Sequence, residues 1–350
     1  MARMRGPRTY TRPAEVGVPY ALVALALVAS AVAIPGFLSS GHLSAMSSTA
    51  AYVGILAIGE TIVLLLGGID LSIPYTLNLA AVLLVGFQFN GMSGWLDIFL
   101  VLLVGLGVGV ANGVGIAWLG VSPLVMTLGM NSILQGVALI YSNGSPLGNA
   151  PPQVTTWSTG LLGGFPNVDV VWIVLTLVVT LVLVFTTFGR AVYSVGANRV
   201  ASRLAGLPVR RTIVSAYALS GLFAALGGIL LTGYSGQAYL GMGDEYLLPV
   251  IAVIVIGGTS IFGGKGSYLQ TVAGALLITV IESALVTIQV DQAGQDVLYG
   301  TIILFMAYLN RVALARPGFG VPGLLRRAGG LGGWLSPPAR SPEESVQAPD

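Results

Sequence analysis

The sequence predicts an all-α polytopic membrane protein with about ten transmembrane helices, some short or broken, and both termini cytoplasmic. Three observations carry that prediction. First, hydrophobic residues make up 55% of the 350-residue chain and charged residues only 8%, with a mean hydropathy of +0.88. A soluble domain carries about 25% charged residues. Second, apolar runs recur at close to the ~20 residues a helix needs to cross hydrocarbon. Third, all fifteen basic residues fall in segments that one topology places on the same side. Arg3, Arg5, Arg8 and Arg12 precede the first run. Arg190, Arg199, Arg203, Arg210 and Arg211 share a central loop, and Lys265 lies in a later one. Arg311, Arg316, Arg326, Arg327 and Arg340 close the chain. The opposite loops carry only acids: Asp97, Asp169, Asp244, Glu245, Asp291 and Asp296. Cytoplasmic loops retain Lys and Arg during insertion, which orients the chain with both ends inside, in a bacterial inner membrane.

Taken in order, residues 1–17 read as a cytoplasmic tail and 18–315 as the membrane domain. The arginines before the first apolar run resemble a signal peptide, but no small-residue cleavage pattern ends that run. It therefore reads as the first span, Val18–Phe37. The others are Ala50–Leu66, Tyr75–Phe89, Leu96–Leu119, Leu124–Tyr141, Val170–Phe188, Ile213–Tyr234, Leu247–Ile261, Leu269–Gln289 and Val297–Leu314. The third and eighth are short, about 15 residues against the ~20 of a straight crossing. They read as broken helices sheltered within protein, because unpaired backbone in hydrocarbon costs several kcal/mol per group. Residues 316–350 turn to Gly, Pro, Ser and a few acids, which predicts a disordered tail.

Several functions are excluded. The chain has no cysteine, so disulfides, thiolate metal sites and a Cys nucleophile are absent. A single histidine, His42, offers no metal cluster or imidazole relay. Gly264-Lys265 is followed by Gly266 and has Thr259 where a P-loop needs its first glycine, so no phosphate cradle forms there. No catalytic residue and no metal or cofactor site is expected in the chain itself. The +2 net charge sits at membrane interfaces and does not point to nucleic acid.

Within the spans, Gly105, Gly109 and Gly113 recur every four residues, a bare face for close helix approach. Glu60, Glu282 and Asp70 lie where a carboxylate is expensive, roughly 2.5–3.5 kcal/mol at the bilayer centre on insertion scales. Glu60 and Glu282 read either as helix-packing hydrogen-bond partners or as part of a polar pathway. Asp70, followed by Leu71 and Ser72, reads as an N-cap opening the next helix. Asn78, Asn112, Asn131 and Gln135 are uncharged polar residues in spans. Their amides both donate and accept, which suits a hydroxyl-rich solute and equally suits bonds between helices.

The central loop, residues 189–211, reads as a short surface helix over Arg199–Ala205, flanked by Gly196 and by Gly206-Leu207-Pro208. Arginines alone serve topology; a capped helix closed by Gly-x-Pro suits a docking element. The residues leave both uses open.

Leu66-Gly67-Gly68-Ile69-Asp70-Leu71-Ser72 resembles a signature of the membrane subunits of ribose-, xylose-, arabinose- and galactose-type ABC importers. Further segments match that family in order: Tyr141–Pro146, Thr187–Arg190 with Val195–Asn198, Ala218–Leu222, and Ile256–Ser260 with Gly263-Gly264. The similarity runs from about residue 45 to 315. It implies that the central loop is the coupling helix, with Asn198, Arg199, Ala201, Ser202, Arg203 and Gly206 as ATPase-coupling residues. Asn198, Ala201, Arg203 and Gly206 match the family pattern, and Val200 replaces its acid. The resemblance also implies a second permease subunit (copy or paralogue), two cytoplasmic ATP-binding-cassette domains that hold ATP and magnesium, an extracytoplasmic sugar-binding protein, and surrounding lipid. Glu60, Asp70, Ser72, Asn78, Asn112, Asn131, Gln135 and Glu282 are the candidate pathway residues. An ion-coupled carrier using the buried acids, and permeases for nucleosides or branched-chain amino acids, are the alternatives.

Overall fold

A computed structural model of the chain describes residues 13–92, 94–145 and 148–315. Most of the predicted N-terminal tail and all of 316–350 lie outside the described residues. Among the described residues the chain forms thirteen α-helices, one 3-10 turn and one two-stranded ribbon.

Each predicted span falls on a helix. In chain order these are α1 (Pro13–Ala33), α2 (Ser40–Leu65), α3 (Ile73–Phe89), α4 (Gly94–Ala117), α5 (Pro123–Ser142), α7 (Asn167–Phe185), α10 (Val209–Ser235), α11 (Leu247–Ile256), α12 (Tyr268–Thr287) and α13 (Gln292–Ala315). Seven of them, α1, α2, α4, α5, α7, α10 and α12, are long and apolar enough to cross a membrane. Helix α3 has 17 residues and α11 only 10. Three short helices join them: α6 (Pro152–Thr159), α8 (Thr187–Ala197) and α9 (Arg199–Leu204). A ribbon pairs β1 (Leu161–Leu162) with β2 (Phe165–Pro166). Gly163 and Gly164, both at positive φ, supply its two-residue turn.

Helix α2 is the axis of the bundle. Every residue from Ala50 to Leu65 is buried, which is why it is apolar all round rather than along one stripe. It packs against α10, α12, α11, α7 and α8. The glycine face of α4 lies on α10: a Cβ at Gly105 would strike Gly221 and Ala225, one at Gly109 Tyr217 and Ala218, and one at Gly113 Val214. That spacing is therefore a packing seam, the structural use of small residues between membrane helices.

The two short helices begin part-way along the bundle. The Val85 carbonyl lies against Gly148, and Ala150 N–H bonds the carbonyl of Gly236 just past the end of α10. Val85 is thus level with that end of the bundle. Back from Val85 to Pro74 is eleven residues, about 16 Å at 1.5 Å per residue. That is roughly half of a ~30 Å hydrocarbon core. The Pro74 carbonyl packs against Gly243, at the start of the 3-10 turn Asp244–Tyr246 that leads into α11. Helix α11 then covers about 15 Å of the remaining depth. The loop that follows it carries Gly264, whose N–H bonds the carbonyl of Leu65 at the end of α2 (2.9 Å).

Candidate functional site

The predicted short helix of the central loop forms as α9, Arg199–Leu204, and a second helix that the sequence did not suggest, α8 (Thr187–Ala197), precedes it. Asn198 is extended (φ −163°), and its side-chain oxygen accepts the Ala201 N–H at 2.9 Å, capping α9. At the other end Gly206 adopts φ +79°. Its N–H bonds the Arg203 carbonyl, and the Leu207 N–H bonds the Ser202 carbonyl, each at 3.0 Å. This is a Schellman closure, which favours glycine at the left-handed position. Asn198 and Gly206 thus fix the two ends of a six-residue helix that is too short to hold itself. Ser202 is buried against the body, while Arg199, Ala201 and Arg203 are exposed. Val200 and Leu204, four residues apart on one face, are 69% and 85% exposed. Where the family pattern has an acid, this chain presents an apolar pair. Leu204 was absent from the sequence-based set, and its signal was the i, i+4 spacing from Val200.

Three segments that carry the family resemblance, far apart in sequence, meet beside α9. A Cβ at Gly196 would strike the Leu65 carbonyl and lie 2.8 Å from Gly264 N. One at Gly263 would stand 2.7 Å from Gly67 N and 3.0 Å from the Gly196 carbonyl, and one at Gly264 2.9 Å from Ala197. Backbone touches backbone there. Arg199 Nη2 reaches the Leu66 carbonyl at 3.4 Å, tying the loop helix to the turn between α2 and α3.

That turn holds a buried polar network. Both Glu60 carboxylate oxygens accept the Asp70 N–H, at 3.2 and 3.1 Å. Asp70 Oδ1 accepts from Ser72 N–H (3.0 Å) and Ser72 Oγ (2.6 Å). Ser72 Oγ in turn accepts from Asn112 Nδ2 of α4 at 2.9 Å, and Tyr217 of α10 donates to the Ile69 carbonyl at 3.2 Å. The capping role expected of Asp70 needs one correction. The flanking residue of α3 is Ser72, whose side chain caps nothing. Asp70 instead bonds two residues ahead, an Asx-type bond that satisfies the turn before the helix. Glu60, Asp70, Ser72 and Asn112 are each at most 2% exposed. Four of the eight pathway candidates therefore form a buried brace, in which Asn112 Oδ1 is left without a partner.

The others divide differently. Gln135 of α5 is exposed and donates to Tyr75 OH of α3 at 2.7 Å; Tyr75 in turn lies 3.5 Å from Asp244 Oδ2. Asn78 is 1% exposed, with neither amide atom bonded, and Asn131 has an unbonded buried Oδ1. Between the C-terminal ends of α3 and α5 lies a cavity of about 240 Å³, lined by Gly86, Asn90, Tyr141 and Ser142 among others. Glu282 sits on α12, partly buried and outside the brace, within electrostatic range of Glu245 and Tyr246. Tyr75 and Asp244 were missed from sequence, because a bond across 169 residues leaves no local signal.

Residues 42–307 match the family described as the branched-chain amino acid transport system / permease component, and the chain belongs to that family. It is the membrane permease component of an ABC importer, a transport subunit; in such systems ATP binds to separate ATPase subunits, and a binding protein completes the set. Among curated relatives, a probable ABC transporter permease of Sinorhizobium fredii is 33% identical over 309 residues, 87% of this chain and 91% of the relative. The autoinducer 2 import permease of Yersinia enterocolitica is 34% identical over 271 residues, 75% and 82% of the two chains. The ribose import permease of Bacillus subtilis is 33% identical over 280 residues, 79% and 87%. The chain thus falls in the ribose and autoinducer 2 branch. No solved structure matches it.

Proposed function

We propose that this chain forms the pathway for uptake of a monosaccharide handed over by an extracytoplasmic binding protein. It works as one of two permease subunits above two cytoplasmic ATP-binding-cassette domains. It crosses the membrane ten times with both termini inside, the three helices beyond the seven long ones being α3, α11 and α13. Closure of the ATPase pair on ATP pulls α9, and through Arg199 and the glycine junction that pull reaches the turn that starts α3. Two states are biased differently in this way, as a switch requires. The observation that supports the reading best is α9 itself: capped by Asn198, closed at Gly206, exposed along Val200, Arg203 and Leu204, and bonded to the α2–α3 turn. A second reading, uptake of autoinducer 2, is favoured by relatives of that name at the same identity.

The test is reconstitution with the partner ATPase and binding protein. ATP-dependent ribose uptake, lost on Arg203→Glu with the chain still inserted, is the expected result, and competition by autoinducer 2 separates the two solutes. Accumulation by the purified chain alone under a pH gradient would overturn the proposal. A cysteine at exposed Ser145 should react with an impermeant maleimide from outside, and one at Ala205 should not; the reverse would overturn the topology.

A further inference from the structure

We propose that the mid-depth junction where α3 begins and the Asp244–Tyr246 turn arrives is a contact site for the moving solute, with Tyr75, Gln135 and Asp244 as its polar groups. It takes a small, uncharged, polyhydroxylated solute. The inference rests on the permease reading and adds the site to it.

Depth comes first. Two short helices, α3 and α11, each begin about half-way through the bundle, and their starts touch at Pro74 and Gly243. Irregular backbone at membrane depth is tolerated where it lines a cavity or is held in protein. Broken helices meeting near the midplane are where carriers place their sites.

Polarity is the second, independent observation. Gln135 is exposed on a helix whose other exposed side chains include Leu128, Ile133, Val137 and Ile140. Facing lipid, its amide oxygen would go unpaired, a cost of roughly 2–7 kcal/mol by transfer scales. One turn along α3 from Tyr75, Asn78 is buried with both amide atoms unbonded; one turn before Gln135 on α5, Asn131 has a buried, unbonded oxygen. Buried polar atoms in proteins nearly always have partners, so these two helices hold hydrogen-bonding capacity that water or a solute must fill. A cavity of about 240 Å³ lies between the same two helices further along, from Val82 to Asn90 on one and at Tyr141 and Ser142 on the other.

Chemistry sets the class. The Asp244 carboxylate accepts hydroxyl protons, the amide groups donate and accept, and the Tyr75 phenol does both. Two adjacent exposed carboxylates, Asp244 and Glu245, repel an anionic solute.

The chain has no cysteine, which permits a direct test in the complete importer. Gln135→Cys should react with a water-soluble, membrane-impermeant methanethiosulfonate reagent added outside. Leu177→Cys, on the exposed apolar face of α7, is the lipid-facing control. The expected result is labelling of Gln135→Cys at least about tenfold faster than the control, slowed by ribose or autoinducer 2 supplied on the binding protein. Equal rates at the two cysteines, or a rate that neither solute alters, would overturn the site. Gln135→Ala should also lower uptake about tenfold at normal membrane abundance; unchanged uptake would count against the site as well. Uptake of ribose or autoinducer 2 by the wild-type importer on ATP is measured first: its absence would sink the proposed solute reading, whereas an unaltered labelling rate in an importer that does carry one of them would overturn the site, so the two failures are distinguishable.

Discussion

Two polar clusters sit within a few residues of each other along the chain and answer opposite demands. The Glu60–Asp70–Ser72–Asn112 cluster is sealed from solvent: the carboxylates accept backbone and side-chain donors of the α2–α3 turn, no member is more than 2% exposed, and Asn112 Oδ1 alone of its amide atoms lacks a partner. The Tyr75–Gln135–Asp244 cluster starts at the next turn of the chain but stays open, with an exposed amide and orphaned asparagines on the same two helices. An acid deep in a span is therefore not by itself a pointer to transport. Glu60 is there because the tight turn at Gly67, with φ +69°, takes the backbone out of helix and leaves the Asp70 N–H to be satisfied where water is scarce.

The comparison breaks or sharpens under substitution, and the largest effect falls on the frame that both clusters share. Gly196→Leu places a side chain on the Leu65 carbonyl and should remove most of the chain from the membrane, read as abundance on a blot. Gly107→Leu, with nothing within 4 Å of its Cβ position, should leave abundance unchanged. Equal abundance of the two would show that the junction is slack.

Asp70→Ala comes next. It orphans the Ser72 N–H and hydroxyl, at about 1–3 kcal/mol for a buried donor left unsatisfied, and should lower the melting temperature of the purified chain by several degrees. Asp70→Asn keeps an acceptor and should cost much less. A melting curve unmoved by Asp70→Ala would remove the closed cluster from the list of structural braces.

Asn198→Ala should cost about 1 kcal/mol, confined to α9 by loss of its cap. Coupled ATP hydrolysis and uptake should fall a few-fold while the melting temperature holds. A global fall in stability would mean α9 is part of the bundle rather than a separate docking element.

The smallest effects should come from Glu60→Gln and Glu282→Gln. Glutamine retains a carbonyl acceptor for the Asp70 N–H, and hydrogen bonds between membrane helices average only about 0.6 kcal/mol. Uptake within a few-fold of wild type is the expected outcome. Uptake abolished at normal abundance would make these acids participants in transport and undo the contrast between the two clusters.

The sequence by itself determined the class, the position of each long apolar helix and the short capped helix of the central loop. Each rests on local signals: apolar run length, the side on which arginines fall, and a cap residue and a glycine at the two ends of six residues. The third and eighth apolar runs were legible as short helices, because run length against bilayer thickness is simple arithmetic. Helix α8 went unseen, as its stretch Thr187–Ala197 is neither long nor apolar enough to stand out from a loop. Only the tertiary structure decided which intramembrane polar residues meet. From sequence Asp70 stood apart as a helix cap, while Glu60, Asn78, Asn112, Asn131 and Gln135 were each open to packing or pathway use. Packing of α3 and α4 on α10 brought three of the set together with Ser72 in a brace, and the path of residues 236–246 brought Asp244 to Tyr75. Those meetings depend on contacts between backbones more than a hundred residues apart, Gly243 on Pro74 and Gly264 on Leu65, and such distances carry no local pattern for a sequence to show.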